Sequence, residues 1–530
     1  MFDALFTTTT EYKKLSHALS GKGACALFGL PASGRAQVYA ALCRQLDKPL
    51  CIVTPGEAEA TRFAADLNTL GIPAAVFPAR DYVLRPIEGT AREYEYRRLA
   101  VLGELVGGRL RAVAVPAEAL TQFTTPKEDF CANTRTLHAG DTLLRDDLLA
   151  ALFGAGYTRR AQVDGPGQFS VRGDIVDIFA PDQKMPVRME FWGDEIDTLH
   201  TFDLTTQRRE DAIDKFYLSP AREVLFGKPA DAAEQLRAFL AKQRGKKKTA
   251  MTDCMAADLD LLDGGAVPVN MDKYLAVRYP HPATVLDYFD DPILVAEEPA
   301  SIREADRATA YRRGEELKSL ILDGVLCAGL DNLYADPSYL WSKTGHYRTI
   351  CAENFARSMP DQPLKDIINA PAHTLPAWNG EVAGLLEDLK PLCDAGYTVT
   401  LLAGTDRAAA GLARDLRDKG ILVTTDAAAA PAAGLVQVLA GHLSAGCEFP
   451  FAKYALLTGR AFGETSSQKK KRKKAKDALN SLTEITPGDL VVHQNHGIGR
   501  YAGIQRMAVQ GVTKDYLRIE YDKKDVLYVP

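Results

Sequence analysis

The chain has 530 residues, of which 46% are hydrophobic and 25% charged, with a formal net charge of −5. It is too long for one hydrophobic core and too balanced in charge for a molecule-wide nucleic-acid surface, so three or four domains with only local basic function are expected. Nine scattered cysteines without a CxxC pair argue against a disulfide framework or a zinc site. No apolar run approaches the roughly 18 residues of a bilayer span, and the N-terminus lacks the pattern of a signal peptide, so no membrane contact and a cytoplasmic location are expected.

Residues 1–120 alternate strand and helix patterns. A buried strand over 24–28 runs into Gly29-Leu-Pro-Ala-Ser-Gly34-Arg35-Ala36, and a helical pattern follows through Val38, Ala41, Leu42 and Leu46. Strand, loop and helix in that order are the context of a phosphate-binding loop, and its G-x-x-x-x-G frame is intact. The two working positions are altered. Arg35 stands where lysine would reach the phosphates, and Ala36 stands where a hydroxyl would hold Mg²⁺. Phosphoryl transfer depends on that positioning, so a degenerate nucleotide site without cofactor is expected, in a turn that keeps its fold. Strands at 50–53 and 72–77, with a helix around Phe63 and Leu67, predict a parallel sheet of RecA or helicase type. Residues 81–88 read as a short connection into a helix carrying Tyr94, Arg97 and Leu99.

Residues 121–210 are expected to form an inserted, strand-rich domain. An amphipathic helix over 141–152 presents Leu143, Leu144, Leu148 and Leu149. Phe169 and Val171 then alternate with Ser170 and Arg172, and Gly173 permits a bulge or bend. Val187, Met189 and Phe191 make an inward face, with Arg188, Glu190 and Trp192 opposite, and Gly193-Asp194 has the chemistry of a tight hairpin turn. A tryptophan beside two arginines is either ordinary surface or an interaction hot spot.

The wording FSVRGDIVDIF followed by VRMEFWGDEID closely resembles the domain shared by the excision-repair protein UvrB and transcription-repair coupling factors. The resemblance implies a docking surface for UvrA, with Arg172, Arg188 and Trp192 as contacts and Glu190 alongside; many relatives carry Phe in place of Trp192. The coupling-factor family also shows a degenerate first ATP site. In UvrB a Tyr-rich hairpin that enters damaged DNA belongs near 81–88, where this sequence has only the short connection.

Residues 211–345 read as the second half of the UvrB-like domain. The remnant of a second helicase motif runs over 285–298 and ends in Glu297 and Glu298. Two carboxylates at a strand end could hold a metal, but opposite Ala36 they read as a relic. The basic run at 244–248 is expected in a solvated loop, with phosphate contact as the alternative. A charged helix over 303–317 bridges to the next domain. Residues 346–460 carry strands at 396–402, 421–424, 436–439 and 454–457 around a helix at 407–419, the pattern of a flavodoxin-like spacer.

Residues 461–482 form a basic linker, with seven positive residues in the eight from Lys469 to Lys476. It serves as a tether or touches DNA phosphates. Residues 483–530 alternate short strand patterns with glycine turns, which predicts a small barrel. This segment resembles the RNA-polymerase-interacting domain that coupling factors share with CarD-type regulators. The resemblance implies strand addition to the polymerase β subunit, with Arg500, Tyr501, Ile504 and Met507 as candidate contacts.

The expected fold class is therefore α/β multidomain: a degenerate RecA/helicase-like parallel sheet (UvrB-like) with an inserted β-rich docking domain, a flavodoxin-like α/β domain and a small CarD-like β-barrel. The family continues into a double-stranded-DNA translocase using ATP and Mg, so this chain is expected to be its N-terminal adaptor fragment. A UvrB-like DNA-dependent ATPase and a CarD-like transcription regulator are the alternatives.

Overall fold

The computed structural model describes residues 5–86, 92–355, 359, 362–378, 382–459, 488–493, 497–509, 512–521 and 526–529. The chain divides into two units, Met1–Arg460 and Ala461–Pro530.

The first unit is built on a seven-stranded, wholly parallel sheet. Its order is Leu364–Asn369, Gly23–Phe28, Arg348–Glu353, Ile293–Glu297, Leu50–Thr54, Ala112–Pro116 and Ala74–Val76. Central strands read as continuous apolar runs because both faces are covered. Leu50, Ile52, Ile293 and Val295 point into one core, and Cys51, Val53, Leu294 and Ala296 into the other. The helices Ala32–Leu46 and Glu57–Thr69 bury Leu42, Phe63 and Leu67 on the first face. On the second, the helix Glu93–Val106 buries Leu99 and Leu102, and the helix Pro299–Leu322 buries Ile302. The strands Arg348–Glu353 and Leu364–Asn369 carry this sheet past the boundary expected at 345.

The β-rich insert leaves and rejoins this domain through two neighbouring strands, Arg135–His138 and Lys215–Leu218, paired antiparallel. Residues 121–134 instead stay with the parallel-sheet domain, where Gln122 hydrogen-bonds both main-chain groups of Arg80. The insert's six strands run in the order Arg209–Ala212, Glu195–Phe202, Val187–Trp192, Ile175–Phe179, Gln168–Arg172, Thr158–Arg159. One face packs Phe169, Val176, Ile178, Met189 and Leu199 on the helix Arg145–Gly154 through Leu148 and Leu152. Of the leucines expected on that helix face, Leu144 lies outside the helix and is exposed. Gly173 is neither bulge nor bend. With Arg172 paired to Ile175 and a φ of +60°, Gly173 turns a two-residue hairpin. Gly193 does the same between Trp192 and Glu195, as its sequence suggests.

Beyond the insert, the helices Pro229–Ala241 and Gly245–Asp263 form a separate apolar cluster with Leu236, Met251, Met255 and Tyr274. The basic run at 244–248 is the N-cap and first turn of the second helix, not a loop. The spacer's sheet is mixed. Tyr454–Thr458, Thr398–Leu402, Val436–Leu439 and Val423–Thr424 are parallel, while Gly446–Phe449 and His373–Leu375 add antiparallel pairs at one edge. That order departs from the 2-1-3-4-5 of a flavodoxin. Its Cys447, Phe449, Tyr454 and Leu456 join the first core of the parallel-sheet domain, so the spacer lies against the helix Ala32–Leu46.

In the second unit, Leu490–His493, Gly497–Val509, Val512–Glu520 and Val526–Val529 form an antiparallel sheet in chain order. Among the described residues the first and last strands do not pair, so these four strands by themselves do not close the barrel that was expected. The basic linker at 461–482 lies outside the described residues. No helix among them is long and apolar enough to cross a membrane.

Candidate functional site

The phosphate-loop frame is present but wound shut. Gly29 takes a φ of +88°, yet the helix already begins at Ala32, after Pro31. Ser33, Gly34, Arg35 and Ala36 are thus helical and buried, and the Arg35 amide is spent on the Pro31 carbonyl at 2.9 Å. In a working loop such amides cradle phosphate oxygens. The space in front is also filled. The Ala370 and Ala372 amides donate to the Phe28 and Gly29 carbonyls at 3.0 Å each, and a Cβ on Gly29 would meet the Asn369 side chain at 3.0 Å. From the spacer, Cys447 Sγ would lie 2.8 Å from a Cβ on Gly34, and Ser33 donates to the Gly446 carbonyl.

Arg35 does not point toward a ligand space. Its Nε lies 3.0 Å from Glu297 Oε2, at an angle that makes the contact an ion pair and not a directed hydrogen bond. Both terminal nitrogens donate to Glu298 Oε1 at 2.9 Å, and Tyr39 donates to Glu297 Oε1 at 2.5 Å. Burial pushes the Glu297 carboxyl up, against the pull of Arg35 and the Tyr39 hydrogen bond. Burial alone would lower the Arg35 guanidinium, but Glu297, Tyr39 and Glu298 outweigh it and hold it above its ordinary range. Sheet topology brings together Gly29, Gly34, Arg35, Ala36, Glu297 and Glu298, all singled out from the sequence. The charged side chains among them then pair with one another.

On the insert, the outward strand face carries Arg172, Arg188, Glu190 and Trp192, as the period-2 pattern predicts. They differ sharply in availability. Trp192 is 82% exposed, at the last strand position before the Gly193-Asp194 turn. The Arg172 side chain is 47% exposed. Arg188, by contrast, is buried at 9% exposure, with its guanidinium 4.7 Å from the Phe202 ring centre. Its Nε and one terminal nitrogen clamp both oxygens of Asp177 at 2.7 and 2.9 Å, and the other terminal nitrogen reaches the Gln207 carbonyl. Glu190 is held by Arg209 and accepts from Thr198.

Asp177 is the residue that sequence reading missed. Its side chain is 1% exposed, and Arg172 binds the same carboxylate from the other side. A signal existed: Asp177 sits between Val176 and Ile178 at an outward position, directly opposite Arg188 in the register.

A second missed set is wholly buried in the parallel-sheet domain. Arg98 pairs with Glu223 at 2.6 Å, and Arg80 reaches both Glu223 at 3.2 Å and Asp272 at 2.7 Å. Glu95 accepts from the Glu223 amide and pairs with Arg92 at 2.8 Å. Burial would raise the Glu95 carboxyl, but Arg80, Arg222 and Arg92 hold it at about 2. Apart from Arg92 and Glu95, which are three residues apart, these partners lie far apart in sequence, and no local pattern marks them.

In the terminal sheet, Arg500 pairs with Leu490 on one side and Glu520 on the other. Tyr501 is buried and exchanges main-chain hydrogen bonds with Gly488 and Asp489. Past Gly503 the long strand pairs only with Val512–Glu520 among the described residues, leaving its other edge open. Ile504 and Met507 lie on that edge; their side chains are outside the described residues.

Residues 136–224 match the family model of the UvrB interaction domain, and residues 485–530 match the CarD-like/TRCF RID domain. Over 519 residues the chain is 28% identical to the transcription-repair-coupling factor of Bacillus subtilis (strain 168). It is 26% identical over 520 residues to that of Staphylococcus haemolyticus (strain JCSC1435), and 25% identical over 516 residues to that of Staphylococcus aureus (strain MRSA252). Each alignment covers 95% of this chain but 44% of the relative's length. The chain is therefore similar along nearly its whole length to the N-terminal part of the transcription-repair-coupling factors.

Proposed function

We propose that this chain is the docking portion of a transcription-repair coupling factor, acting in the cytoplasm to join RNA polymerase stalled at a DNA lesion to UvrA. Trp192 carries the reading. An indole left 82% in water at the end of a strand, on the same sheet face as a half-exposed arginine, has the chemistry of a hot-spot anchor, and it lies within the matched UvrB interaction domain. Arg172 and Trp192 make the contact, while Arg188 and Glu190 shape the face beneath it.

Polymerase binding falls to the terminal sheet. The open edge past Gly503 offers main-chain donors and acceptors to a strand of the polymerase β subunit, with Ile504 and Met507 beside it. Arg500 and Tyr501, held on both sides, position that edge. ATP and Mg²⁺ belong, in this reading, to a translocase on double-stranded DNA in the part of the relatives beyond the similarity. The phosphate-loop remnant binds no nucleotide, because Arg35 is committed to Glu297 and Glu298.

Mixing the chain with purified UvrA and RNA polymerase tests the proposal. Retention of both is expected, with Trp192→Ala or Arg172→Ala abolishing UvrA retention alone. Polymerase retention without UvrA would point to a CarD-like regulator, and ATP turnover lost on Arg35→Ala would point to a UvrB-like ATPase.

A further inference from the structure

A cavity of about 430 Å³ lies between the helix Pro299–Leu322 and the segment 334–337, within the usual size range of small-molecule sites. Asp306, Ala310, Arg313, Gly314 and Leu317 line it, because spacings of three and four residues put them on one helix face. The Ala335 amide holds the facing segment in place by donating to the Thr121 carbonyl at 2.8 Å. Gly314 leaves room, since a Cβ there would meet nothing within 4 Å. Asp306 is 6% exposed, yet among the described residues its carboxylate has no hydrogen-bond or ion-pair partner. Arg313, two turns on, does not supply one. Its terminal nitrogens donate to the Thr121 hydroxyl at 2.8 Å and the Glu118 carbonyl at 2.7 Å, and its guanidinium lies 4.0 Å from the Tyr334 ring centre.

We propose that this cavity binds a primary alkylammonium ion, with the ammonium on Asp306 and the alkyl chain along Ala310 and Leu317. A buried carboxylate only accepts hydrogen bonds, and one left without a donor calls for N–H groups and a compensating charge. An ammonium brings three such donors and the charge together. A divalent metal fits poorly, because it needs several oxygen ligands and no group of three or more metal-binding side chains occurs among the described residues. Asp336, the other carboxylate of the cavity, is exposed and already accepts from the Ser338 amide and hydroxyl at 2.8 and 2.6 Å.

The charge state of the cavity agrees with this occupant. Burial raises the Asp306 carboxyl to about 6, against the pull of Arg313, so it is ionised at neutral pH with no counter-ion in contact. The other ionisable groups lining the cavity are Arg313, Tyr334 and Asp336. Burial draws the Arg313 guanidinium down, but an arginine stays charged. Burial pushes Tyr334 up to about 12, and the Ser338 donors hold Asp336 below its ordinary range. Asp306 is therefore the group among them that titrates near neutral pH.

The test titrates the full chain with n-butylammonium, with n-butanol as the uncharged control and Nα-acetyl-lysine amide as the protein-like arm, read by saturation-transfer NMR. Saturable binding of n-butylammonium but not of n-butanol is expected, weakening about tenfold per pH unit below 6 as Asp306 takes up a proton. Tighter binding of the lysine derivative would assign the site to a lysine side chain of another protein, and tighter binding of n-butylammonium to a free amine. Asp306→Asn should abolish binding with the thermal midpoint unchanged or raised, because it removes an unpaired buried charge. Gly314→Leu keeps the charge and fills the space, and should abolish binding too. Absence of saturable n-butylammonium binding to the native chain, or equal binding by either variant, overturns the proposal.

Discussion

Arg35 Nε lies 3.0 Å from Glu297 Oε2, with both side chains at 3% exposure or less. In an active phosphate-loop protein these positions would flank a metal-bound triphosphate. Here a cation on a helix meets a carboxylate at the end of a central strand, and the pair has become a piece of the core.

That pairing makes each partner hazardous to remove alone. Arg35→Met leaves Glu297 charged and buried, and should lower unfolding stability by about 3–5 kcal/mol. Adding Glu297→Gln removes the stranded charge and keeps an acceptor for Tyr39, so the double variant should recover most of the loss. Urea unfolding midpoints of the three proteins decide it; equal losses in single and double variants would count against a buried charge as the cause.

Restoring the motif should not restore its chemistry. In Arg35→Lys/Ala36→Thr the helix still starts at Ala32, and Asn369, Ala370 and Cys447 still fill the phosphate space. Ala36 is fully buried, so the added atoms should also cost about 1–3 kcal/mol by overpacking. Titration calorimetry with Mg·ATP is expected to give no heat of binding.

On the insert, binding and stability should separate by residue. Trp192→Ala should leave the thermal midpoint unchanged and weaken UvrA binding by about 2 kcal/mol or more. Arg188→Ala strips the clamp from buried Asp177 and should lower stability as well as binding. Arg172→Ala should act mainly on binding, because its other half faces solvent. Unchanged unfolding of Arg188→Ala with lost UvrA binding would return Arg188 to the contact surface.

Glu95 gives the chain an acid-sensitive element. Its carboxyl is at about 2 in the folded protein against an ordinary 4.5. The unfolded chain therefore binds the proton first, and the stabilisation is complete above about 4.5 and lost as pH falls toward 2. Two and a half pH units correspond to about 3 kcal/mol. Glu95→Gln should be less stable at pH 7 and flatter between pH 5 and 2, measured by denaturant midpoints at each pH.

Local pattern determined much of this molecule. Apolar runs of five residues place the central strands, and the period-2 alternation from Val187 to Trp192 assigns each side chain to its face correctly. Gly193 marks its turn because a positive φ is easiest for glycine. The altered phosphate loop is likewise readable, since the missing lysine and hydroxyl are simply absent from the string. What pattern cannot carry is which distant charges meet. Whether Arg188 is a docking side chain or a buried clamp depends on Asp177 across the sheet and Phe202 beneath it. Whether Arg35 is free depends on a strand that arrives more than two hundred residues later. Burial and ion pairing are decided by the partner's position in space, so only the folded chain could separate Trp192, left in water, from Arg188, drawn into the protein.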